Sequence, residues 1–460
     1  MRLVDNIIIV SDDLTGANDS GVQFAKHGIP TVVCIDDCQL PDPASEGTAC
    51  VINVESRSLS PEEAYRKWGR LLESIDLSSY QIVFKKIDST LRGNVGKEIQ
   101  ACMETGLFKA AIVVPAYPQK GRKTVGGYQL VHQQLLEDSE ISRDPKFPVT
   151  HSKVSEIIRR QWNCSIGEIG ISTIRSGAWL SQLEALQRAG ENVVVFDSAT
   201  EDDIKQIVAE LSGQRVLWVG AAGLAEALAG QYPRQMLQTV QPTEGSGGPP
   251  VLVMAGSVSA VTLGQVECLK QDGFESLLID PLIFLDEANG DKGNDRLLEI
   301  ETISSKAKQC IASGKSVVIS TDVSAAKRNQ VQAFLQESGI GGMDGGDRIA
   351  DGMGKLAAAI MSQGSLAGAV LTGGDIAYRT CKHLGVRSLR IIDEVEEGLP
   401  LCLTEGAWTM PIVTKAGAFG HRHSMLIAAR AIRSLGHSPM SGGGVADQTG
   451  AQGLSSGRNI

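Results

Sequence analysis

The sequence predicts an α/β protein of two domains, each a largely parallel, Rossmann-like sheet covered by helices. Three observations predict it. Short runs such as NIIIV (6–10) and RVLWVG (215–220) are β-branched and almost wholly apolar, the pattern of strands buried on both faces. Each run leads through a Gly/Ser/Asp turn into an amphipathic stretch, the alternation of a parallel sheet with crossover helices. The Pro/Gly/Ser-rich stretch TVQPTEGSGGPP (239–250) lacks apolar periodicity and reads as a linker.

Taken in order, strands are expected at NIIIV, TVVCI (31–35), CVINV (50–54), QIVFKKI (81–87), AAIVVPA (110–116), NVVVFD (192–197) and RVLWVG. The pattern resumes at VLVMAG (251–256), SVVIST (316–321), GAVLTGG (368–374) and LRIID (389–393). Ser60-Pro61-Glu62-Glu63 is a capping box with proline at the first helical position, and Gly28 and Gly190 stand where helices should stop. The expected division is 1–238, a linker 239–250, 251–436, and a Gly/Ser-rich disordered tail 437–460.

The 460 residues carry 43 Lys+Arg against 53 Asp+Glu, a net charge of −10, with 4% aromatics and no basic block. That disfavours nucleic-acid binding, which needs a basic face, and membrane-surface binding for the same reason. No run approaches a membrane span of about 20 apolar residues. The N-terminal apolar run is too short, and too acidic after it, for a signal peptide. Nine cysteines scattered from Cys34 to Cys402 suit a reduced, cytoplasmic protein.

Ligands of open parallel sheets bind beyond the carboxyl ends of the strands. After NIIIV come Ser11-Asp12-Asp13-Leu14-Thr15-Gly16. One aspartate can cap the next helix; the other is expected to accept a ligand hydroxyl or act as a base. QIVFKKI ends in Lys86-Ile87-Asp88-Ser89-Thr90-Leu91-Arg92, a cluster suited to a small anionic polyol, or else an internal salt bridge of Asp88. AAIVVPA runs into a proline-stiffened loop carrying Arg122, which suits a carboxylate or phosphate unless it is a bland surface turn. In the second half, glycine turns at Ser257, at Gly373-Gly374-Asp375 and at Gly417 each precede a helix. Together they suggest a nucleotide site, although each alone is ordinary βα punctuation.

Other signals fail. Gly314-Lys315-Ser316 lacks the opening glycine of a P-loop, with Gln309 in its place, and precedes a strand. No GxGxxG follows a strand, which disfavours a nicotinamide dehydrogenase. Cys34 and Cys38 lack a second zinc pair and read as buried apolar residues. His421 and His423 read as solvated, and Gly220-Ala221-Ala222-Gly223 as tight packing.

Taken together, SDDLTGAND, NVESRSL, KKIDSTLRGN, VVPAYPQKGRKTVGGY, VGAAGLAEALA, AGSVSAVT, LTGGDIA and TKAGAFG resemble the four-carbon acid sugar kinases over nearly the whole chain to about residue 436. The resemblance implies a sugar-acid domain followed by a nucleotide domain, with ATP and Mg2+ as cofactors. It implies a small sugar acid as the partner; a homo-oligomer is left open by the sequence. The stretch SRDPKFPVTHSKV and the form TKAGAFG point within the family to D-threonate, made into 4-phospho-D-threonate; erythronate and 3-oxo-tetronate are the alternatives. By resemblance Asp13, Arg57, Lys86, Ile87, Asp88, Ser89 and Thr90 hold the substrate, with Arg122 added from its loop. Ser257, Gly373, Gly374, Asp375, Ile376 and Gly417 hold ATP. Asp13 is the first candidate base, Asp88 the second. Ile376 stands where many relatives carry a hydroxyl residue and His423 near an often acidic position, departures that would suit a non-catalytic sugar-acid sensor.

Overall fold

The computed structural model describes residues 6–35, 47–143, 147–233, 248–257, 259–285, 291–363 and 365–435. The expected tail, Cys38 and all but the last residues of the expected linker lie outside them. Fifteen strands form one sheet, and three short ones form a second. In the first half, Ile7–Ser11 lies parallel between Ala49–Asn53 and Ile82–Lys86, and Leu217–Gly220 joins Ile82–Lys86 to Ala111–Val114. In the second half, Val251–Ala255 lies parallel between Val317–Thr321 and Gly368–Thr372, followed by Pro411–Lys415. The central strands are buried throughout, which is why their sequences are apolar at successive positions.

The two halves share this sheet. Val386–Glu396 pairs antiparallel with Thr31–Cys34 on one side and with Leu399–Gly406 on the other. LRIID, expected among the parallel strands, is thus the middle of a long antiparallel strand. Its alternating exposure, with Leu389 and Ile391 buried and Arg390 exposed, is the period-two pattern of such a strand. A single apolar cluster runs beneath both halves, from Ile7 and Phe24 through Ile391 to Leu371 and Met353.

Helix Leu14–Ala25 sits at this junction and is buried on almost every side. Gly21 makes the approach feasible, since a Cβ there would lie 2.8 Å from Ile391 Cδ1 and 3.2 Å from Val51 Cγ2. Asn18 Nδ2 donates to Thr414 Oγ1 at 2.9 Å, and Lys26 pairs with Glu394. The capping box at Ser60 and Glu63 is formed. The loop after Ala111–Val114 is more ordered than expected: Arg122–Val125, Tyr128–Val131 and Gln134–Leu135 make the small antiparallel sheet. The edge strands Ile166–Ile169 and Glu275–Ile279 had no uninterrupted apolar run to announce them. No helix among the described residues is long and apolar enough to cross a membrane.

Candidate active site

Loops after the carboxyl ends of Ile7–Ser11, Ala49–Asn53, Ile82–Lys86 and Ala111–Val114 meet those after Gly368–Thr372 and Pro411–Lys415 around a cavity of about 450 Å3. The first half contributes Asp13, Arg57, Lys86, Asp88, Ser89, Thr90 and Arg122; the second contributes Gly374, Asp375 and Gly417. Most of the residues singled out in sequence therefore face one space. Four do not line it: Ile87, Gly373, Ile376 and Ser257. Gly373 donates its N–H to the Lys415 carbonyl at 2.8 Å. Ile87 is buried in the core and offers only its carbonyl, which accepts from Lys86 Nζ at 2.9 Å. Ile376 is buried against Gly256, where a Cβ would stand 2.3 Å from its Cδ1. Ser257 lies behind Gly417, whose added Cβ would fall 2.2 Å from the serine oxygen.

Asp12 and Asp13 both bind Arg57. Arg57 Nε donates to Asp12 Oδ2 at 2.7 Å and Nη1 to Asp13 Oδ2 at 2.6 Å, while Nη2 reaches both carboxylates at 2.9 Å. Asp13 also caps helix Leu14–Ala25, accepting from Gly16 N at 2.8 Å. Neither carboxylate is therefore free, contrary to the reading that gave one of them to a cap and left the other open. Burial disfavours charge on both. At Asp12 the cations Arg57, Lys85 and Lys86 prevail and hold the carboxyl low. At Asp13 burial, reinforced by the Asp12 charge, pushes it up despite Arg57.

The strand Ile82–Lys86 sends its two lysines to opposite faces. Lys86 faces the cavity, and Lys85 forms a buried ion pair with Glu98. Ser56 Oγ donates to the same Glu98 at 2.7 Å, and Trp68 Nε1 donates to Ser56 Oγ at 2.9 Å. Asp88 does form the internal salt bridge, with Arg92 at 2.6 Å, while still lining the cavity. Burial opposes its charge, yet Arg92 and Arg57 hold its carboxyl well below the usual range. Arg122 Nε is buried with no partner among the described residues.

Sequence reasoning missed several cavity residues. Glu55 has φ +50, a left-handed backbone rare for a non-glycine. Asn53 Nδ2 donates to its Oε2 at 3.1 Å. Burial, with Asp375 and Asp13 nearby, pushes its carboxyl up to about 8. Burial likewise raises Asp19 to about 6. Glu397 of the second half stands behind the lining: its carboxylate accepts from Tyr117 at 3.2 Å and pairs with Lys120 at 2.8 Å, and both of those residues line the cavity. Its place in NVESRSL, two residues before Arg57, was the only sequence signal for Glu55; Asp19 and Glu397 were not singled out. His421 and His423 are exposed, His421 beside Glu396 at 2.9 Å. No cluster of three potential ligand side chains able to hold a metal occurs among the described residues.

Comparison with known proteins accords with this geometry. A family model described as the sugar-binding N-terminal domain matches residues 7–228, and one described as the nucleotide-binding C-terminal domain matches 252–425. A D-threonate kinase of Salmonella typhimurium is 32% identical over 420 residues, covering 90% of this chain and 95% of its own. A D-erythronate kinase of Heliobacterium modesticaldum is 33% identical, covering 91% and 95%. A 3-oxo-tetronate kinase of Pseudomonas savastanoi is 26% identical, covering 93% and 96%. A Salmonella typhimurium protein of solved structure shares the fold with TM-score 0.75 at 24% identity, covering 92% of this chain and 98% of that one. The chain belongs to the four-carbon acid sugar kinase family and is a phosphotransferase that acts on an alcohol group of a four-carbon sugar acid.

Proposed function

We propose that this chain phosphorylates D-threonate to 4-phospho-D-threonate with ATP and Mg2+. The observation that carries the reading is the shared cavity: cations and hydroxyls of the first half face the glycine turns of the second across one space. Residues 1–238 would form the sugar-acid domain and 251–436 the nucleotide domain. Relatives named D-threonate kinase at 32%, 31% and 29% identity favour this acid. The D-erythronate kinase at 33% supports a second reading, since the two acids differ only in the configuration of one hydroxyl-bearing carbon.

Because Asp12 and Asp13 occupy the Arg57 guanidinium, the substrate carboxylate would fall chiefly to Lys86 and to Arg122, whose Nε has no partner among the described residues. Ser89, Thr90 and Asp88 would take the hydroxyls. Asp13, raised in pKa by burial, would orient the terminal hydroxyl and accept its proton. The turns at Gly373–Asp375 and Gly417 would hold the phosphates through the amides of Gly374, Asp375 and Gly417, the Gly373 amide being held by the Lys415 carbonyl. Glu55 and Asp375, both lining the cavity, would be the carboxylates offered to a divalent cation that the phosphates complete. When bound, Mg2+ would neutralise phosphate charge. The protein's own contribution is alignment of hydroxyl and phosphoryl group, the main lever in phosphoryl transfer.

A sensor without activity is disfavoured by Ile376: buried against Gly256, it removes no group from the cavity. The test is ADP release with a panel of D-threonate, D-erythronate and 3-oxo-tetronate. Highest kcat/KM on D-threonate is expected. A preference for D-erythronate would install the second reading, and no turnover on any of the acids would overturn both.

A further inference from the structure

The strand Pro411–Lys415 ends in a lysine that is only 2% exposed. Its Nζ donates to the carbonyls of Ala416 at 2.8 Å, Gly417 at 3.1 Å and Phe419 at 3.0 Å. All three ammonium protons are thereby used. No carboxylate pairs with it among the described residues, although a buried ammonium without a counter-charge is costly. Two neutral side chains reinforce the arrangement. Thr262 Oγ1 donates to the Gly417 carbonyl at 2.7 Å, and Gln265 Nε2 donates to those of Phe419 at 3.2 Å and His421 at 2.8 Å.

Carbonyls gathered inward have a consequence. The peptides are all trans, and in a trans peptide C=O and N–H point opposite ways. The N–H groups of Gly417, Ala418 and Gly420 therefore point away from the ammonium. None of the three has an acceptor among the described residues. Gly417 and Ala418 line the cavity.

We infer that Lys415 is a positioning residue for the phosphate donor: it draws the carbonyls of the 416–419 turn together so that the turn's amides form an anion-binding nest for the triphosphate. The inference rests on the placement of ATP at this turn. The polyphosphate would supply the negative charge that the buried ammonium lacks, one turn of backbone lying between them. Burial, which pushes Lys415 down to about 8, fits a cation whose counter-charge arrives with a ligand.

Lys415→Met removes the ammonium and keeps the length of the side chain. The dissociation constant of a non-hydrolysable ATP analogue, read by calorimetry, is expected to rise about tenfold or more, the scale of losing charged hydrogen bonds. KM for ATP should rise with it while KM for the sugar acid stays near wild type, a split that a general loss of structure would not produce. Thr262→Val, which removes one support of the Gly417 carbonyl, should give a smaller rise in the same direction. A folded Lys415→Met protein that binds the analogue like wild type would overturn the inference. Should that variant fail to fold, an unchanged affinity in Thr262→Val would do so. Gly417→Ala separates this from the placement of ATP, because its methyl would meet Ser257 Oγ at 2.2 Å and displace the turn. If Gly417→Ala alone weakens binding, only the role of Lys415 fails; if none of the variants does, the placement itself fails.

Discussion

Thr15 and Gly374 touch across the boundary between the two halves: a Cβ on Gly374 would stand 2.4 Å from Thr15 Oγ1 and 3.5 Å from Thr15 Cβ. Gly374 opens the helix Gly374–His383, and Thr15 lies in the first turn of Leu14–Ala25. Both line the cavity. The glycine is thus required by a close approach between the cavity walls that the two halves contribute.

Gly374→Ala should wedge these walls apart and lower kcat by about 100-fold, the cost of misplacing reactants by an ångström. Because the clash is with the hydroxyl, adding Thr15→Ala should restore much of the loss. Steady-state kinetics of the single and double variants check this. A double variant no better than Gly374→Ala would show that the contact is not the cause.

Asp13→Asn keeps the shape of the side chain and removes its ability to take a proton. Turnover should fall sharply while the affinity for an ATP analogue holds. Near-wild-type turnover would remove Asp13 from the role of base and leave Asp88 as the alternative.

Arg57→Met leaves Asp12 and Asp13 without their shared partner. Breaking a buried pair of this kind costs about 3–5 kcal/mol, and urea unfolding should register it. Adding Asp12→Asn should recover part of the loss, since one stranded charge is then gone. Full stability in Arg57→Met would mean that the carboxylates find water or Lys86 instead.

The carboxyl of Glu55, raised to about 8 from an ordinary 4.5, binds its proton more tightly folded than unfolded. Its contribution to stability is complete below the unfolded value and is lost as pH climbs towards 8. Asp19, raised to about 6, acts with the same sign over a narrower window. The lowered carboxyls of Asp12 and Asp88 act only in acid, below the ordinary carboxylate range. Melting temperature should therefore fall between pH 6.5 and pH 8, and fall less in Glu55→Gln. Equal slopes in both proteins would assign the effect to another group.

Much of the site was readable because it lies at strand ends. An apolar run that stops in Asp12-Asp13 or in Lys86-Ile87-Asp88 announces both a buried strand and a polar exit. Which of the exit residues faces the ligand was harder. Lys85 and Lys86 are neighbours, yet one is locked to Glu98 and the other lines the cavity. Ile87 and Ile376 sit inside recognisable motifs but point into the core.

The chain's own pattern determined the α/β class, most parallel strands and the turns that carry the chemistry, because burial on both faces and the need for a turn are written locally in residue type. Tertiary structure alone decided that Arg57 is held by Asp12 and Asp13, that Glu397 reaches Tyr117 and Lys120, and that Val386–Glu396 joins Thr31–Cys34 to make one sheet of the two halves. Those contacts link residues distant along the chain. Their partners are selected by register, helix approach and charge balance in the assembled fold, which no local stretch of sequence encodes.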